Sequence, residues 1–460
     1  MLRNKKYSLC LIAIVLSIFY FSGICFSQEI KALPPFTNTD RVLILSPHPD
    51  DEAVGTAGLI QRALQAGAKV KVLCYTNGDN NELAFIVYEK RLTFRKGEFL
   101  HMGQVRRKET LAAMALLGLK PADVIFLGYP DFGTMEILTK YWGETRPFKS
   151  MLTRVTKVAY PEAMSFNAPY VGESILKDIK QILLDFRPTK VFVSHPADTN
   201  RDHRSLYLFL QVALWDLEKQ IKRPQIFPCL IHVRGWLKPR GYHPDLELNP
   251  PPKLIGASWQ KLELTEKEIK TKRDAIACYR SQIKYNPPYL FTFARKNELF
   301  GDLSVIKLNK PKTKEIIWQD LGAPEDVEEG LQGENQNQQK LILALAYAIK
   351  DDNLLIRITL RRKIDKNLGI SIFLLGYNKN LNFARMPKFR LYINALGLHT
   401  REKKQAVRIK GIKRKFEGKA LIIKIPLIGL GDPDYILSYT RARAVGLLLN
   451  ETAWRIIELE

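Results

Sequence analysis

The sequence predicts an α/β protein with a Rossmann-like, doubly wound parallel sheet, followed by a C-terminal β-sandwich. Between residues 41 and 281, short runs rich in Val, Ile and Leu alternate with segments of helical periodicity. Such continuous apolar runs are typical of parallel strands buried on both faces. Beyond about residue 300, short alternating runs separated by turns indicate antiparallel strands instead. We therefore predict an α/β domain over residues 35–300 and a β-sandwich over residues 301–460.

The predicted elements follow from these runs in chain order. In the first domain the strands are Arg41–Ser46, Lys69–Tyr75, Asp123–Leu127, Lys190–Ser194 and Cys229–Val233. Helical periodicity predicts helices at Ala53–Ala66, Arg106–Leu117, Ser174–Phe186, Arg204–Lys219 and Thr265–Tyr279. In the second domain the strands are Lys340–Ile349, Leu354–Leu360, Ile370–Leu375, Phe389–Ile393, Ala420–Ile425, Ile436–Tyr439 and Trp454–Leu459.

Length and charge limit the classes of protein that remain. A chain of 460 residues, 46% apolar and 26% charged, has room for two or three domains with proper cores. This composition excludes a disordered tail protein, a collagen-like fibre and a polytopic membrane protein. The difference 71 − 47 = +24 between basic and acidic residues favours anionic partners such as acidic glycans or phospholipid headgroups.

Residues 1–27 have the features of a secretory signal peptide. A basic start is followed by an apolar run from Leu9 to about Phe21, and small residues suit a cut after Ser27. The expected location is therefore secreted, periplasmic or at the cell surface. The same run could stay as an uncleaved membrane anchor, and Cys25 could carry a lipid. Export argues against a nucleic-acid partner.

Two motifs follow predicted strands of the α/β domain. Pro47–Glu52 (PHPDDE) comes directly after the first strand, and His195–His203 (HPADTNRDH) comes directly after the fourth. Open α/β sheets place their sites beyond the carboxyl ends of their strands. Two imidazoles and a carboxylate that converge there can bind zinc and leave one coordination position for water. A further carboxylate beside that water can act as a general base.

These motifs resemble the PIG-L/LmbE-like family of zinc-dependent de-N-acetylases. The resemblance also includes the helix with Arg106, Glu109 and Leu117-Gly118, and the loop Gly128–Asp131 (GYPD), and it covers about residues 40–285. The resemblance implies that His48, Asp51 and His203 are the zinc ligands and that Asp50 is the general base. It also implies that Arg106 and Asp131 line the sugar pocket. His195 is either a further pocket residue, which would contact the substrate, or a buried hydrogen-bonded histidine.

The chain departs from the family pattern at Asn200, where the family has a histidine that stabilises the oxyanion or donates a proton. A carboxamide can donate a hydrogen bond to the oxyanion but cannot deliver a proton. Asp50 would then serve as base and afterwards pass its proton to the leaving amine. The competing interpretation is that Asn200 only shapes the loop that carries His203.

The expected function is a secreted zinc-dependent deacetylase that hydrolyses the N-acetyl group of an amino sugar in a glycan or glycolipid. Two alternatives are an amidohydrolase for a small N-acyl metabolite and a non-catalytic surface glycan-binding protein. The C-terminal half is similar in texture to sugar-binding modules. Thr400–Lys419 carries nine Lys/Arg and two acids, which indicates either a solvated hairpin or a surface that docks on an anionic cell-surface polymer or membrane.

Overall fold

The computed structural model describes residues 30–90, 92, 95–143, 146–252, 254, 256–309, 315–321 and 340–460. The predicted signal peptide, residues 1–27, lies outside them. Among the described residues, no helix combines the length and apolar character that crossing a bilayer requires.

The first part of the chain forms eight strands and nine helices within the described ranges. The strands are β1 (Lys31–Ala32), β2 (Arg41–Ser46), β3 (Lys69–Thr76), β4 (Val124–Tyr129), β5 (Lys190–Ser194), β6 (Gln225–Cys229), β7 (Ala257–Glu263) and β8 (Asn297–Leu303). The helices are α1 (Asp51–Gln65), α2 (Glu82–Glu89), α3 (Lys96–Leu116), α4 (Thr134–Lys140), α5 (Gly172–Phe186), α6 (Arg201–Asp216), α7 (Glu266–Ile276), α8 (Arg280–Ile283) and α9 (Pro287–Phe291).

The eight strands form one mixed sheet in the order β1-β7-β8-β6-β5-β2-β3-β4. The five strands from β6 to β4 in this order run parallel to one another, whereas β8 is antiparallel to both β6 and β7. Numbered in chain order, the parallel strands lie 3-2-1-4-5, which is the doubly wound arrangement. The predicted mixed α/β fold with a large parallel sheet is confirmed. The chain reverses its winding direction between β2 and β5, the two strands that the motifs follow.

One predicted strand lies elsewhere, and the difference matters for the site. We expected a strand at Cys229–Val233, but β6 ends at Cys229. The amides of Ile231 and His232 instead donate to the carboxylate of Asp198, at 3.1 and 2.9 Å. A buried ionised carboxylate needs such donors, so the apolar segment leaves the sheet and bends towards the second motif.

The second part of the chain is strand-rich, as predicted. Its strands are β9 (Ile306–Leu308), β10 (Gln319–Asp320), β11 (Ile342–Lys350), β12 (Asn353–Leu360), β13 (Leu368–Tyr377), β14 (Lys388–Ile393), β15 (Leu398–Glu402), β16 (Gln405–Val407), β17 (Lys413–Glu417), β18 (Ala420–Pro426), β19 (Tyr435–Ala444), β20 (Leu447–Glu451) and β21 (Arg455–Leu459). They form two sheets, in the orders β10-β11-β12-β18-β17 and β16-β15-β14-β13-β19-β21-β9, with β20 beside β19. Inward side chains of both sheets belong to one hydrophobic cluster.

The two parts of the chain also share buried contacts with each other. β8 extends past the predicted boundary at residue 300 and belongs to the α/β sheet. One hydrophobic cluster combines Trp142 and Trp215 with Tyr439 and Trp454 of the C-terminal strands. The α/β sheet and one hydrophobic cluster therefore both extend across the predicted domain boundary at residue 300.

A buried ion pair joins the two parts. Arg204 of α6 donates from Nη2 to Oε1 of Glu451 at 2.6 Å, and both side chains are buried. The phenol of Tyr439 donates to the other oxygen of the same carboxylate. Removal of one partner from such a pair leaves an unpaired charge in a medium of low polarity.

We predict that Glu451→Ala lowers the free energy of unfolding by about 3–5 kcal/mol, because Arg204 stays buried without its counter-charge. Urea unfolding followed by circular dichroism measures the effect. The control is Asp274→Ala, which breaks partly exposed pairs with Lys270 and Arg273 and should cost less than about 1 kcal/mol. A shared core also predicts one cooperative transition, whereas two separate transitions would restore the predicted division into independent domains.

Candidate metal-centred active site

Three side chains from the two motifs converge beyond the carboxyl ends of β2 and β5. His48 Nδ1 lies 3.2 Å from Asp51 Oδ2. His203 Nε2 lies 3.0 Å from the same oxygen and 3.2 Å from His48 Nδ1. All three side chains are buried. The structure thus brings the three predicted metal ligands together, with one donor atom of each at a corner of a small triangle.

The triangle can hold a metal ion and fits zinc. Zinc–ligand distances of about 2.0–2.2 Å place the ligand atoms of a tetrahedron roughly 3.4 Å apart, close to the observed separations. A cation also explains why the lone pairs of two imidazoles and a carboxylate face one another in a buried position. Three protein ligands leave a fourth position for water or substrate, as in catalytic zinc sites.

Each imidazole of the triangle is held from behind by a carboxylate. His48 Nε2 lies 3.1 Å from Asp131 Oδ1 and 3.4 Å from Asp202 Oδ2. His203 Nδ1 lies 3.1 Å from Asp198 Oδ2. A carboxylate that accepts from the outer ring nitrogen selects the tautomer whose inner nitrogen can ligate a metal. Sequence reasoning missed Asp198 and Asp202, although both lie within the second motif.

Asp131, which the resemblance implied for the sugar pocket, lies beside the metal-ligand candidate His48. Its Oδ2 accepts from the backbone amide of Asn80 at 3.1 Å, while Oδ1 faces the His48 ring. Its exposure is 4%. The contacts connect Asp131 to the metal ligand His48; its predicted role in the sugar pocket stays a prediction.

The adjacent carboxylates of Asp50 and Asp51 have different surroundings because the backbone turns sharply between them. Asp50 has φ +117, a conformation that non-glycine residues rarely adopt. Asp51 begins α1, and its Oδ2 also accepts from the backbone amide of His48 at 3.0 Å. Glu52 accepts from the amide of Asp50 at 3.3 Å, so its carboxylate supports the loop.

Arg106 also supports this loop. Its guanidinium donates to the carbonyls of Gly78 and Pro49, at 3.0 and 2.5 Å, and lies 3.2 Å from Asp50 Oδ2. Gly78 has φ +63, and a Cβ there would lie 1.9 Å from Arg106 Nη1, so only glycine admits the guanidinium. The contacts of Arg106 orient Asp50, and the side chain is almost fully buried. Its predicted contact with a sugar stays a prediction.

The two carboxyl groups differ in acidity. Burial raises the pKa of Asp50 to about 8, Arg106 opposes the rise, and Asp51 and Glu52 add to it. Burial acts in the same direction on Asp51, but His203 and His48 hold the pKa of that carboxyl well below its usual range. Asp51 is therefore ionised, as a ligand must be, and Asp50 can take up a proton near neutral pH.

His195 and Asn200 have mainly structural contacts. The His195 ring is fully buried, stacks on Trp259 at 6.0 Å and accepts from the amide of Ala197 at 3.0 Å. Burial lowers its pKa to about 3, as expected for the buried-histidine alternative. Asn200 caps α6, since its Oδ1 accepts from the amide of Asp202 at 2.9 Å. The proposed roles of both residues towards the substrate stay predictions.

An open cavity of about 560 Å³ lies beside the triangle and is lined by Asp50, Asp51 and His232, among others. The His232 ring lies 4.7 Å from the His203 ring, and its Nδ1 is 2.9 Å from the Tyr289 hydroxyl. That hydroxyl also lies 3.0 Å from the Ile231 carbonyl. When the phenol hydrogen goes to Nδ1, Nε2 of His232 carries the ring hydrogen and can donate towards the cavity. The sequence carried no signal for His232, because it was assigned to a strand.

An aromatic side chain also stands beside the metal triangle. Phe132 is 56% exposed, and its ring centroid lies 6.5 Å from that of His48. Its backbone has φ +55, and its amide donates to Asp202 Oδ2 at 2.5 Å. The hydrogen bond holds the residue in an unfavourable conformation that presents a large apolar surface to solvent.

We predict that His203→Ala abolishes stoichiometric zinc binding and that Asp131→Asn weakens it roughly 10- to 100-fold, the usual effect of altering a residue behind a ligating histidine. Competition with a chromophoric chelator measures both. Asp185→Asn, a change at an exposed helix position, is the control and should bind zinc normally. If Asp131→Asn leaves zinc affinity unchanged but raises KM, Asp131 contacts substrate as the resemblance implied.

Comparison with known proteins agrees with this geometry. Residues 43–214 match the family described as PIG-L: GlcNAc-PI de-N-acetylase. A diacetylchitobiose deacetylase of Thermococcus kodakarensis is 28% identical over 137 residues, which are 30% of this chain and 44% of that protein. An N-acetylglucosaminyl-phosphatidylinositol de-N-acetylase of Arthroderma benhamiae is 25% identical over 187 residues, 38% of this chain and 50% of that protein. The chain thus spans about half the length of these curated relatives or less.

Among solved structures, the N,N'-diacetylchitobiose deacetylase from Pyrococcus horikoshii, complexed with its inhibitor MPG, is 19% identical. The match covers 65% of this chain and 94% of that one, with a TM-score of 0.37. The family match includes β2 and the first motif at one end and α6 with the second motif at the other. Residues 43–214 of this chain form a PIG-L family domain, whose homologues are de-N-acetylases of the LmbE/PIG-L type.

Proposed function

We propose that the chain is a zinc-dependent deacetylase that removes the acetyl group from an N-acetylated amino sugar of a glycan or glycolipid. The observation that carries the proposal is the triangle of His48, Asp51 and His203, with Asp50 beside it at the wall of an open cavity. The family match over residues 43–214 supports the same activity.

The reaction is the hydrolysis of an amide bond. When bound, zinc would supply a Lewis acid that lowers the pKa of a water molecule to about 7 and polarises the acetamide carbonyl. Asp50 receives a proton from the water molecule while the oxygen of that water forms a bond to the carbonyl carbon. The C–N bond then breaks, and Asp50 returns the proton to the departing nitrogen, so that the products are acetate and a free amine.

His232 gives the cavity the imidazole that the chain lacks at position 200. The Oδ1 atom of Asn200 is engaged in capping α6, whereas His232 lines the cavity next to His203. Tyr289 holds the ring through Nδ1. We assign to His232 the contact with the developing charge of the reacting amide, and to Asn200 the placement of the helix that carries His203.

An amino sugar is favoured over a small N-acyl metabolite by the exposed ring of Phe132. Sugar rings stack on aromatic surfaces through their apolar C–H faces, and an exposed aromatic ring fixed beside a metal site suits this contact. The cavity of about 560 Å³ is open and lies within the size range of small-molecule sites.

The proposal also includes export and the architecture of the C-terminal part. Residues 1–27 have the pattern of a signal peptide, and an exported enzyme would meet glycans or glycolipids at a cell surface. The two C-terminal sheets share one hydrophobic cluster, which supports a β-sandwich, although not one independent of the α/β part.

We predict that Asp50→Asn retains zinc but lowers kcat for acetate release by roughly 10²–10⁴-fold, because proton transfer is lost. Acetate release from chitooligosaccharides, N-acetylated glycolipids and small N-acyl compounds by the mature protein is the assay. Zinc content measured on the same preparation is the control. Turnover near the unaltered level with zinc bound would remove Asp50 from the mechanism, and release from small N-acyl compounds alone would favour the amidohydrolase alternative.

A second prediction separates His232 from Asn200. We expect His232→Ala to lower kcat at saturating zinc by about 10²–10³-fold, the usual loss for one oxyanion donor, with little change in KM. Asn200→Ala should cost about 1 kcal/mol of stability, as for other helix N-caps, while zinc-replete kcat changes little. Tyr289→Phe should have an intermediate effect, and His101→Ala, at an exposed position, should have none. The opposite order, with Asn200→Ala the slower enzyme, would return the oxyanion role to Asn200.

A further inference from the structure

Two adjoining cavities lie on the C-terminal sheets and share no lining residue with the cavity at the metal triangle. The first, here called the seam cavity, measures about 220 Å³ and lies between α4 and α6 on one side and β13, β14 and β19 on the other. The second, the edge cavity, measures about 690 Å³ and lies over β14 and β15. Arg390 and Arg401 line both cavities, so the two adjoin at these side chains and together are called the groove.

The seam cavity is strongly basic. Its lining includes nine Lys or Arg side chains and one acid, Glu136. Glu136 is paired with Lys140, and Arg204 is paired with Glu451. These two pairs account for two of the nine basic side chains, and burial lowers the pKa of a third, Lys388, to about 7. The other six have no acidic partner among the described ion pairs.

Neither Arg390 nor Arg441 has an acidic partner among the described ion pairs, and Arg390 donates to the neutral hydroxyl of Ser371 at 3.3 and 3.1 Å. Burial lowers the pKa of Arg390, and Arg441, Arg401 and Arg443 lower it further. Burial also lowers the pKa of Arg441, with Arg443 and Arg201 adding to the effect, although Tyr439 and Glu451 oppose it. The buried Nε atom of Arg441 has no hydrogen-bond partner within the described chain. Guanidinium groups crowded in this way are stabilised by an anion that bridges them.

The floor of the groove is aromatic. The guanidinium groups of Arg390 and Arg441 lie 5.7 and 5.2 Å from the centre of the Phe373 ring. Tyr439 and Trp454, which also line the seam cavity, stack on each other at 5.2 Å. Aromatic surface next to guanidinium forks can contact the apolar face of a sugar and its acidic substituent together.

The edge cavity is also lined by arginines and aromatic rings. Tyr392 and His399 face each other across β14 and β15, stacked at 6.5 Å. Both line the cavity together with Arg401 and Arg408. Arg401 and Arg408 belong to Thr400–Lys419, the basic segment that the sequence singled out. Part of its charge thus lies in a concave groove and not only on a solvated hairpin.

We propose that the groove formed by the seam and edge cavities binds a glycan that carries acidic groups (carboxylate, sulfate or phosphate), so that the substrate class of the enzyme is an acidic N-acetylated glycan. This inference rests on the proposed deacetylase function. Arg390 and Arg441 hold an acidic group between them, and the aromatic floor contacts the sugar ring. One helix contributes to both sites, since α6 carries His203 to the metal triangle and Arg201 and Arg204 to the seam cavity.

The shape of the site selects a glycan strand over a membrane surface. The unpaired arginines line a concave groove with aromatic rings at its floor, whereas a lipid surface engages a convex or flat array of exposed cations. The cavity volumes suit sugar units and their substituents. Guanidinium forks bind carboxylate, sulfate and phosphate groups in the same bidentate manner, so the chemistry of the acidic group is shared among the three.

The test compares binding with catalysis on the full mature chain. Isothermal titration measures the Kd for an oligosaccharide of alternating N-acetylglucosamine and glucuronate and for an uncharged N-acetylglucosamine oligomer. The double variant R390Q/R441Q removes two cations from the groove. The matched control K413Q/K419Q removes two cations from exposed positions of the same basic segment, outside both cavities. Acetate release from the uncharged oligomer shows whether each variant is folded and active.

We expect the unaltered protein to bind the acidic oligosaccharide more tightly than the uncharged one, with an affinity that falls as salt rises. R390Q/R441Q should weaken that binding by about 10- to 100-fold, as expected for lost charge-assisted hydrogen bonds, while acetate release from the uncharged oligomer is unchanged. K413Q/K419Q should bind almost as the unaltered protein does. Equal loss in both variants, or none in R390Q/R441Q, would overturn the proposal.

Two further arms separate the glycan from other anions and from the proposed function. Vesicles with anionic lipid, or duplex DNA, that bind as tightly as the oligosaccharide and depend equally on Arg390 and Arg441 would show that the groove responds to charge alone, which would overturn the glycan assignment. If the acidic oligosaccharide binds as predicted but no substrate loses acetate, the proposed deacetylase function fails and the groove stands. If R390Q/R441Q is also inactive on the uncharged oligomer, a second variant, R390K/R441K, replaces it. This variant keeps both positive charges but loses the guanidinium groups, so it should bind the acidic oligosaccharide weakly and release acetate normally. Tight binding by R390K/R441K would contradict bidentate recognition.

Discussion

The mutual burial of two imidazoles and four carboxylates (Asp51, Asp131, Asp198 and Asp202) at the point where the sheet reverses its winding direction constrains much of this molecule. His48, Asp51 and His203 place one ligand atom each within 3.0–3.2 Å of the others, an arrangement that can hold a metal ion. Each imidazole needs a carboxylate behind it, and each carboxylate needs backbone donors of its own. The hydrogen-bond donors that these carboxylates need come from loops farther from the triangle. Asp202 takes the amides of Phe132 and Thr134, and Asp198 takes those of Ile231 and His232.

These hydrogen bonds to buried carboxylates explain why loops far apart in sequence meet around the metal triangle. The donors of Asp202 fix the loop that exposes Phe132, and the donors of Asp198 pull the segment after β6 away from the sheet. Through the second of these, His232 reaches the cavity wall. Position 200, where the resemblance implies a histidine, holds Asn200 in this chain, and the imidazole that lines the cavity comes from His232, after the end of β6. Asn200 keeps the local task of capping the helix that presents His203.

The C-terminal strands are tied to the α/β part by the same helix. α6 presents His203 to the metal triangle, and Arg204 from the next position pairs with Glu451. Packing of Trp142 and Trp215 against residues of the C-terminal sheets adds a common hydrophobic cluster. Two parts that pack densely in one cluster stabilise each other, and α6 contributes Trp215 to that cluster. A groove for a glycan on the C-terminal sheets is then fixed relative to the site where the acetyl group would be cut.

The sequence alone was sufficient for what depends on local pattern. Continuous apolar runs such as Arg41–Ser46 identified the parallel strands, because a strand buried on both faces must be apolar throughout. The two motifs predicted the metal triangle, because the carboxyl ends of adjacent parallel strands meet at one edge. Only the tertiary structure decided which donors the buried carboxylates recruit and which surfaces share a core. The apolar stretch ending at Val233 was predicted as a strand, but two of its backbone amides donate to Asp198 instead of to a neighbouring strand. Arg106 contacts Asp50, Asp131 contacts His48, and β8 extends the α/β sheet past residue 300. These outcomes depend on long-range pairing of buried charges and faces, for which no local pattern exists.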